Sequence, residues 1–119
     1  MLASGQRMRD STEFRSTVRR GSRGVQSTVV THVVSGAGGR TSVGFVVSKA
    51  VGSAVDRNRV KRRLRHLMRE RVRQLPPGSR VVVRALPSSS AASSSTLGEQ
   101  LDGALLKSGV ASPEHLGEL

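Results

Sequence analysis

The stretch Ser48–Arg73, SKAVGSAVDRNRVKRRLRHLMRERVR, decides how the rest of this chain is organised. It holds 10 of the 20 Lys and Arg residues but only two acids, Asp56 and Glu70. Apolar and basic positions recur at helical spacing over about 55–74. Because like charges at i,i+4 repel, a helix this basic is unfavourable in isolation. The pattern therefore predicts a helix that a polyanion neutralises.

This helix is predicted to have two different faces. At 100° per residue, its apolar side chains share one arc, made of Val60, Leu64, Leu67, Met68, Val72 and Leu75. A roughly opposite arc carries Asn58, Arg62, Arg65, Arg69 and Arg73, flanked by Arg59, Arg63 and His66. Arg71 falls within the apolar arc, so its side chain is expected to reach outward past the arc's edge. One face packs, and the other presents a row of guanidinium groups.

The overall charge points to nucleic acid. The chain has 119 residues and a net charge of +12, which favours binding to phosphates through counterion release. Residues 1–84 carry 19 basic and 4 acidic side chains, whereas residues 85–119 carry 1 and 4. Seventeen of the 20 basic residues are Arg, which suits bidentate phosphate contact, although a GC-rich coding bias gives the same excess. Binding therefore belongs to the first two-thirds of the chain.

Composition also argues against several classes of protein. There is no Cys, so disulfides and thiolate metal sites are excluded. No apolar run approaches the roughly 18 residues of a membrane span, and the N-terminus lacks the apolar stretch of a signal peptide. The three His residues have no metal-ligand spacing, and the acids are scattered. We expect a soluble, cytoplasmic protein without a membrane partner, a metal site or catalytic residues of its own.

Before the basic helix, the sequence predicts one helix and two strands. The helix covers 11–20, with a polar start and a terminal glycine. The β-branched segments 27–34 and 41–48 are typical of strands, and the glycine-rich turn 36–40 between them predicts a hairpin. The glycines of this turn resemble part of a phosphate loop, but they open no helix. A short apolar segment at 24–26 suggests an additional edge strand.

After the basic helix, Pro76-Pro77-Gly78 turns the chain into a strand over 79–86. The valine run of this strand favours a central position covered on both faces, and the intervening helix implies a βαβ unit. The Ser-rich segment 88–95 is predicted to be a flexible loop. Thr96-Leu97-Gly98-Glu99 matches a capping box, so a final helix is predicted over 96–108.

These elements predict an α+β fold, a two-layer α-β sandwich of order αβββαβα with the basic helix in its βαβ crossover. Residues 1–9 would form a basic N-terminal arm, 10–108 a single RNA-binding domain, and 109–119 a disordered tail. Strands precede the basic helix where a DNA-reading helix-turn-helix needs another helix, so RNA is the preferred polyanion. Membrane binding is disfavoured because the helix lacks Trp and Phe.

A second surface is predicted beside the sheet. Phe14 and Val18 lie four residues apart on the first helix, where the outward side chain of His32 would join them in a groove. Stacking of an unpaired base on an aromatic ring contributes roughly 1–3 kcal/mol. Core packing is an equally good explanation for Phe14 at this point, and His32 is more often structural than catalytic in such a strand.

The segment SKAVGSAVDRNRVKRRLR closely resembles the signature of the bacterial ribonuclease P protein family, SK…G.AV.RNR.KR. The matching residues are Ser48, Lys49, Gly52, Ala54, Val55, Arg57, Asn58, Arg59, Lys61, Arg62 and Arg65. The resemblance extends over about 7–86, from RMRDSTEFRSTVRRG to PPGSRVVVRAL. Val18 and His32 stand where family members often have aromatics, so stacking would depend mostly on Phe14.

The resemblance implies a sandwich whose βαβ crossover is left-handed, against the general preference. It implies that the chain joins a catalytic RNA subunit, with 1:1 stoichiometry, to remove the 5′ leader of precursor tRNA using Mg2+ held mainly by RNA. The residues expected to contact RNA are Arg57, Asn58, Arg59, Lys61, Arg62 and Arg65, and helical periodicity adds Arg69 and Arg73. The expected leader cleft comprises Phe14, Val18, His32, Ser48 and Lys49.

Two alternatives to this interpretation remain. A structural RNA-binding protein of ribosomal type would have a similar composition and α/β build, and the RNA that co-purifies would distinguish it. A self-sufficient protein nuclease would cleave precursor tRNA without any RNA subunit. The RNR signature favours the ribonuclease P family over both.

Overall fold

The computed structural model describes residues 7–8, 10–36 and 38–110. Its elements are α1 (Ser11–Arg20), β1 (Ser22–Val25), β2 (Val29–Val34), β3 (Ser42–Val46), α2 (Ala54–Arg71), β4 (Arg80–Ala85) and α3 (Ser94–Lys107). Short 3-10 helices lie at Lys49–Val51, Val72–Gln74 and Pro87–Ser90. The α+β class is confirmed, and the elements follow one another as αβββαβα. Within the described ranges, no helix has the length and apolarity needed to cross a bilayer.

The four strands form one sheet in the order β1-β2-β4-β3. Strand β4 is parallel to β3 and antiparallel to β2, so the predicted hairpin between 27–34 and 41–48 is wrong. The hairpin is formed instead by β1 and β2, which confirms an edge strand near 24–26. Strand β4 takes an inner position, where its three consecutive valines are 0% exposed. An unbroken apolar run has side chains on both faces of the sheet, so it is most stable where both faces are covered. The chain between β2 and β3 crosses the start of β4, a span of about 10 Å.

The βαβ unit predicted around the basic helix is present. Strands β3 and β4 are adjacent and parallel, and α2 connects them. The hand of this crossover stays a prediction from the resemblance. Helix α2 begins with a capping box in which Ser53 accepts from the Asp56 backbone N–H while the Asp56 carboxylate accepts from that of Ser53. The helix ends in the 3-10 turn to Gln74, close to the predicted limits.

Helices α2 and α3 cover one face of the sheet and α1 lies on the other. Val60, Leu64 and Met68 of α2 are 0% exposed and pack in the main core. That core also contains Val29, Val33, Val43, Val81, Val83, Leu97, Leu101 and Leu105. Phe14 and Glu13 of α1 contact the opposite face, at Gly44 and Arg80 respectively. The predicted apolar arc of α2 is therefore its packing face.

The Ser-rich segment 88–95 is more regular than the predicted loop. It starts within the 3-10 helix Pro87–Ser90, and its last residues already belong to α3. The cap of α3 is Ser93, whose hydroxyl accepts from the Thr96 backbone N–H at 3.1 Å. The capping box predicted at Thr96 is therefore wrong, because an acceptor three residues earlier satisfies the same N–H group.

Both ends of the packed domain extend beyond the predicted boundaries. Val110 is 2% exposed and belongs to the core, so the domain continues two residues past 108. Met8, assigned from the sequence to the basic arm, is 7% exposed and donates its backbone N–H to Val43 O at 2.9 Å. Arg7 forms an isolated parallel bridge with the same valine of β3. The remaining predictions for the arm and for 111–119 lie outside the described residues.

Candidate RNA interface

Phe14 occupies the centre of the predicted groove, where α1 crosses the sheet. A Cβ atom on Gly44 of β3 would collide with Cζ of this ring and lie 2.8 Å from both Cε1 and Cε2. Both Cε atoms are too close for an end-on contact, so the ring turns one face, near Cζ, toward the strand at Gly44. The absence of a side chain at Gly44 permits this close approach. Phe14 is half-buried, so its packing leaves part of the ring open to solvent.

Two depressions border the Phe14 side chain. The first, of about 380 Å³, is lined by Phe14, Arg15, Val18, Arg19 and Arg84. The second, of about 320 Å³, is lined by Arg7, Met8, Phe14, Val43, Gly44, Phe45, Lys61 and Arg65. Phe14 is the only residue that they share. The predicted pair Phe14 and Val18 is therefore together in one concave surface.

A third depression extends this surface along the start of α2. It measures about 180 Å³ and is lined by Val47, Ala54, Arg57, Asn58 and Lys61. Lys61 borders both this depression and the second one. The three depressions are therefore adjacent, and we call them together the basic groove. Their lining contains seven cationic side chains: Arg7, Arg15, Arg19, Arg57, Lys61, Arg65 and Arg84.

The exposed face of α2 continues the positive surface. Arg62, Arg69 and Arg73 are exposed and Arg65 is half-buried. None of these four forms an ion pair with any described residue. We call Arg62, Arg65, Arg69 and Arg73 the arginine row. Such a surface of free guanidinium groups is suited to phosphate contact.

Other arginines of α2 serve the fold. Arg59 donates to the Asp56 carboxylate and to Ser90 O, both at 3.2 Å. Arg63 donates to Ala92 O at 3.1 Å, so these two side chains hold the Ser-rich segment against α2. Because a guanidinium has five N–H donors, the proposed RNA contact of Arg59 would use those left over. Arg63, which faces the segment, has a clear structural role.

His32 lies on the α1 side of the sheet, beside Val82 of β4 and Arg23 of β1. It is only 6% exposed, and within the described chain neither ring nitrogen has a hydrogen-bond partner. Burial, and then the positive charges of Arg84 and Arg23, lower the pKa of the imidazole. His32 is therefore a neutral residue beneath the groove and does not line its three depressions.

Ser48 and Lys49 lie at the far end of β3, after Val47. Both are exposed, and the Ser48 hydroxyl accepts from the Ala50 backbone N–H at 3.3 Å to begin a 3-10 turn. Neither lines the three depressions, although Val47, which precedes them, lines the third. The third depression brings Arg57, Asn58 and Lys61 of the motif together, and their contact with RNA stays a prediction.

Sequence reasoning missed several groove residues. Arg84 was assigned only to a strand, yet it lies opposite Val18, because every second residue of β4 faces α1. Phe45 was likewise assigned only to a strand, and the edge position of β3 leaves it beside the second depression. The alternation of β4 contained the signal for Arg84. The edge position of β3 depends on the order of the strands, and the predicted hairpin between 27–34 and 41–48 gives the wrong order.

The groove offers no metal-binding set. Among the described residues, no group of three His, Asp or Glu side chains is placed to hold an ion. Glu13, the acid nearest Phe14 in sequence, accepts a hydrogen bond from Ser42 Oγ and forms an ion pair with Arg80 at 3.6 Å. Asp56 is occupied by the helix cap and Arg59. The charged side chains that line the groove are Arg and Lys, which bind phosphates rather than metal ions.

Comparisons with known proteins agree with this chemistry. A family model described as Ribonuclease P matches residues 2–109. The ribonuclease P protein component of Streptomyces avermitilis is 52% identical over 114 residues, covering 88% of this chain and 93% of that protein. The Beutenbergia cavernae protein of the same name is 53% identical over 111 residues, covering 92% and 93%. The solved RNase P protein of Staphylococcus aureus has the same fold, with a TM-score of 0.78, 20% identity and coverage of 90% and 98%.

Proposed function

This chain belongs to the ribonuclease P protein family, and from that premise we propose how it acts within the holoenzyme. It binds the catalytic RNA subunit through the arginine row and holds the 5′ leader of precursor tRNA in the basic groove. The holoenzyme then removes the leader and generates the mature 5′ end. The observation that carries this proposal is the run of adjacent, cation-lined depressions beside one half-buried aromatic ring.

The arginine row is suited to a folded RNA backbone. Its side chains project from one rigid helix and are free of protein partners among the described residues. Each phosphate neutralised by such a side chain releases counterions, so affinity falls steeply as salt rises. Contacts of this kind position the protein on the RNA by shape. The acidic residues at 85–119 make that part of the chain unsuitable for the same role.

The basic groove is suited to a single strand. An aromatic ring in a basic channel is the arrangement by which proteins hold unpaired nucleotides with little sequence preference. Arg57, Asn58 and Lys61 would continue the contact toward Ser48 and Lys49, where the strand would leave the groove. The leader is present on the precursor and absent from mature tRNA. Binding energy obtained in the groove therefore favours substrate over product.

The cleavage chemistry is assigned to the RNA subunit. Mg2+ there would be held by RNA phosphates and would activate water for attack on the scissile phosphate. The protein contributes by reducing the repulsion between two polyanions, the RNA subunit and the precursor tRNA. We propose a 1:1 complex of this chain with the RNA subunit. We place this complex in the cytoplasm, where precursor tRNA is transcribed.

Reconstitution tests this proposal. RNA subunit and precursor tRNA are incubated at low Mg2+ and about 150 mM salt, close to physiological ionic strength, with and without this protein. Leader release should be much faster with the protein, and the protein alone should release none. Equal rates with and without it would contradict the proposal, and cleavage by the protein alone would identify a protein nuclease. Sequencing the RNA that co-purifies tests the alternative of a ribosomal-type RNA-binding protein.

A further inference from the structure

Val55, in the first turn of α2, is the most exposed large apolar side chain among the described residues. It is 74% exposed, against 44% for Val25 and 42% for Leu106. The other large apolar side chains of α2 pack in the core or against it: Val60, Leu64, Leu67 and Met68. A β-branched residue is also a poor helix former, because the helix restricts its side chain. The fold therefore gives no reason for a valine at this position.

The position of Val55 on the helix places it at the head of the arginine row. A single exposed apolar side chain is common on protein surfaces, but this one lies two helical turns before Arg62. At 100° per residue, the two side chains leave α2 in directions only about 20° apart, and about 10 Å separates them along the axis. Asn58, three residues after Val55, lies between them and also lines the third depression. An apolar side chain, an amide and a guanidinium thus follow one another along one face.

These three side chains offer the contacts that an unpaired nucleotide needs. The face of an unstacked base packs on apolar side chains. The edge of a base carries donors and acceptors, which an Asn amide matches because it has both. The phosphate pairs with a guanidinium. Asn58 and Arg62 are exposed, and Arg62 has no ion-pair partner in the described part of the chain. Both side chains are therefore accessible to such a ligand.

The charge around Val55 favours RNA over a second copy of this chain. The net charge of the chain is +12, and half of its Lys and Arg residues lie in 48–73. A second copy docked on this face would bring like charges together. RNA brings phosphates instead, and its loops and bulges present unpaired bases. A base can therefore cover Val55 while its own backbone is attracted to the surrounding cations.

We propose that Val55, Asn58 and Arg62 together hold one unpaired nucleotide of the RNA subunit. Val55 packs against the face of the base, Asn58 hydrogen-bonds to its edge, and Arg62 pairs with a phosphate of the same strand. This inference rests on the proposed function, in which the arginine row binds the RNA subunit. Phosphate contacts alone carry no sequence information, whereas a base contact does. The nucleotide at Val55 therefore fixes the register of the protein on the RNA.

Val55→Thr tests the base contact without changing the charge of the surface. Threonine keeps the branched shape and replaces one methyl group by a hydroxyl, at a site that is too exposed to support the core. The affinity for the RNA subunit should fall about fourfold, the value for one methyl group lost from an apolar contact. The slope of log affinity against log salt should keep its wild-type value, because an apolar contact releases no counterion. Val25→Thr is the matched control outside the arginine row, and it should bind like the wild-type protein.

Base-specific chemical probing of the RNA subunit identifies the nucleotide. At saturating protein, one unpaired base should be protected in the wild-type complex and in the Val25→Thr complex. The same base should become reactive in the complexes of Val55→Thr and of Asn58→Ala. Its neighbours along the strand should keep their wild-type reactivity in both variants.

Several results would overturn this inference. Unchanged affinity of Val55→Thr would exclude the base contact, and a loss with a smaller salt slope would show that the variant disturbs phosphate contacts instead. Protection that depends on Val55 but lies on precursor tRNA, or self-association of the RNA-free protein that Val55→Thr abolishes, would assign the surface to another partner. Failure of the wild-type protein to bind the RNA subunit would contradict the proposed function itself.

Discussion

Arg71 of α2 and Asp102 of α3 form a two-point ion pair, with Nε to Oδ1 at 2.7 Å and Nη2 to Oδ2 at 3.2 Å. The same guanidinium donates to Leu67 O at 2.9 Å. This position falls within the apolar arc of the basic helix, and the ion pair explains how a charge is tolerated there. The most basic helix and the near-neutral last helix are thereby joined.

The first prediction concerns this pair. Asp102→Ala should lower the free energy of unfolding by about 1 kcal/mol, a value reduced because the Asp102 side chain is 48% exposed. Arg71 would keep its carbonyl contact but lose the fixed orientation between α2 and α3. Chemical denaturation measures the change, and Glu99→Ala on the exposed surface of the same helix is the control. Equal stability of the two variants would show that the pair contributes nothing.

The second prediction compares neighbouring arginines of α2. Arg62→Ala and Arg63→Ala remove the same charge one residue apart, but only Arg63 is bonded to Ala92 O. Arg62→Ala should reduce the slope of log affinity against log salt for the RNA subunit by about 0.7–0.9. Arg63→Ala should leave that slope nearly unchanged and lower the melting temperature instead. Identical slopes for both variants would contradict the assignment of the arginine row.

The third prediction concerns pH. Because the folded protein lowers the His32 pKa, the unfolded chain binds more protons as the pH falls through the ordinary His value of about 6.5. Stability should therefore be highest above that pH and decrease as the pH falls toward 5. In His32→Leu this decrease should be smaller, since no imidazole remains to be protonated between Arg23 and Arg84. Thermal melts at pH 7.5, 6.5 and 5.5 (values chosen to span that range) measure the difference; parallel losses in both proteins would exclude His32 as the cause.

Local sequence patterns were sufficient to predict most of the elements. The 3.6-residue periodicity of α2 separates its buried side chains from its exposed arginines because both sets are large and distinct. Helix α1 was equally clear, since Asp10 accepts from the Thr12 backbone N–H at its start and Gly21 follows its end. The valine run of β4 correctly indicated a central strand. Each of these elements is determined by residues close together in the sequence.

Contacts between residues far apart in the chain could not be predicted from local sequence patterns. The insertion of β4 between β2 and β3 depends on competition between strands that lie far apart in the chain, whereas hairpin rules consider only the turn. Arg59 and Arg63 each donate to a backbone carbonyl about 30 residues away, and no side-chain pattern predicts such a partner. The sequence therefore predicts a groove of Phe14, Val18 and His32 with Ser48 and Lys49 at its end, and it does not predict Arg84. The order of the strands in the sheet decides which cationic side chains line the groove. It places Arg84 beside Phe14 and Val18, and Lys61 beside Phe14.

The fourth prediction uses two strand glycines as a matched pair. A Cβ on Gly24 would collide with the backbone O of Ala104 in α3, whereas a Cβ on Gly44 would collide with the Phe14 side chain. Backbone of a packed helix cannot move aside, so Gly24→Ala should cost about 1–3 kcal/mol of stability. The Phe14 ring can rotate, so Gly44→Ala should cost less stability but displace the ring from its packed position against the strand. Holoenzyme carrying Gly44→Ala should therefore lose much of its preference for leader-bearing substrate, while Gly24→Ala, assayed well below its melting temperature, should keep it. Equal substrate preference in both proteins would show that the position of the Phe14 ring is unimportant for holding the leader, because only one of the two substitutions disturbs it.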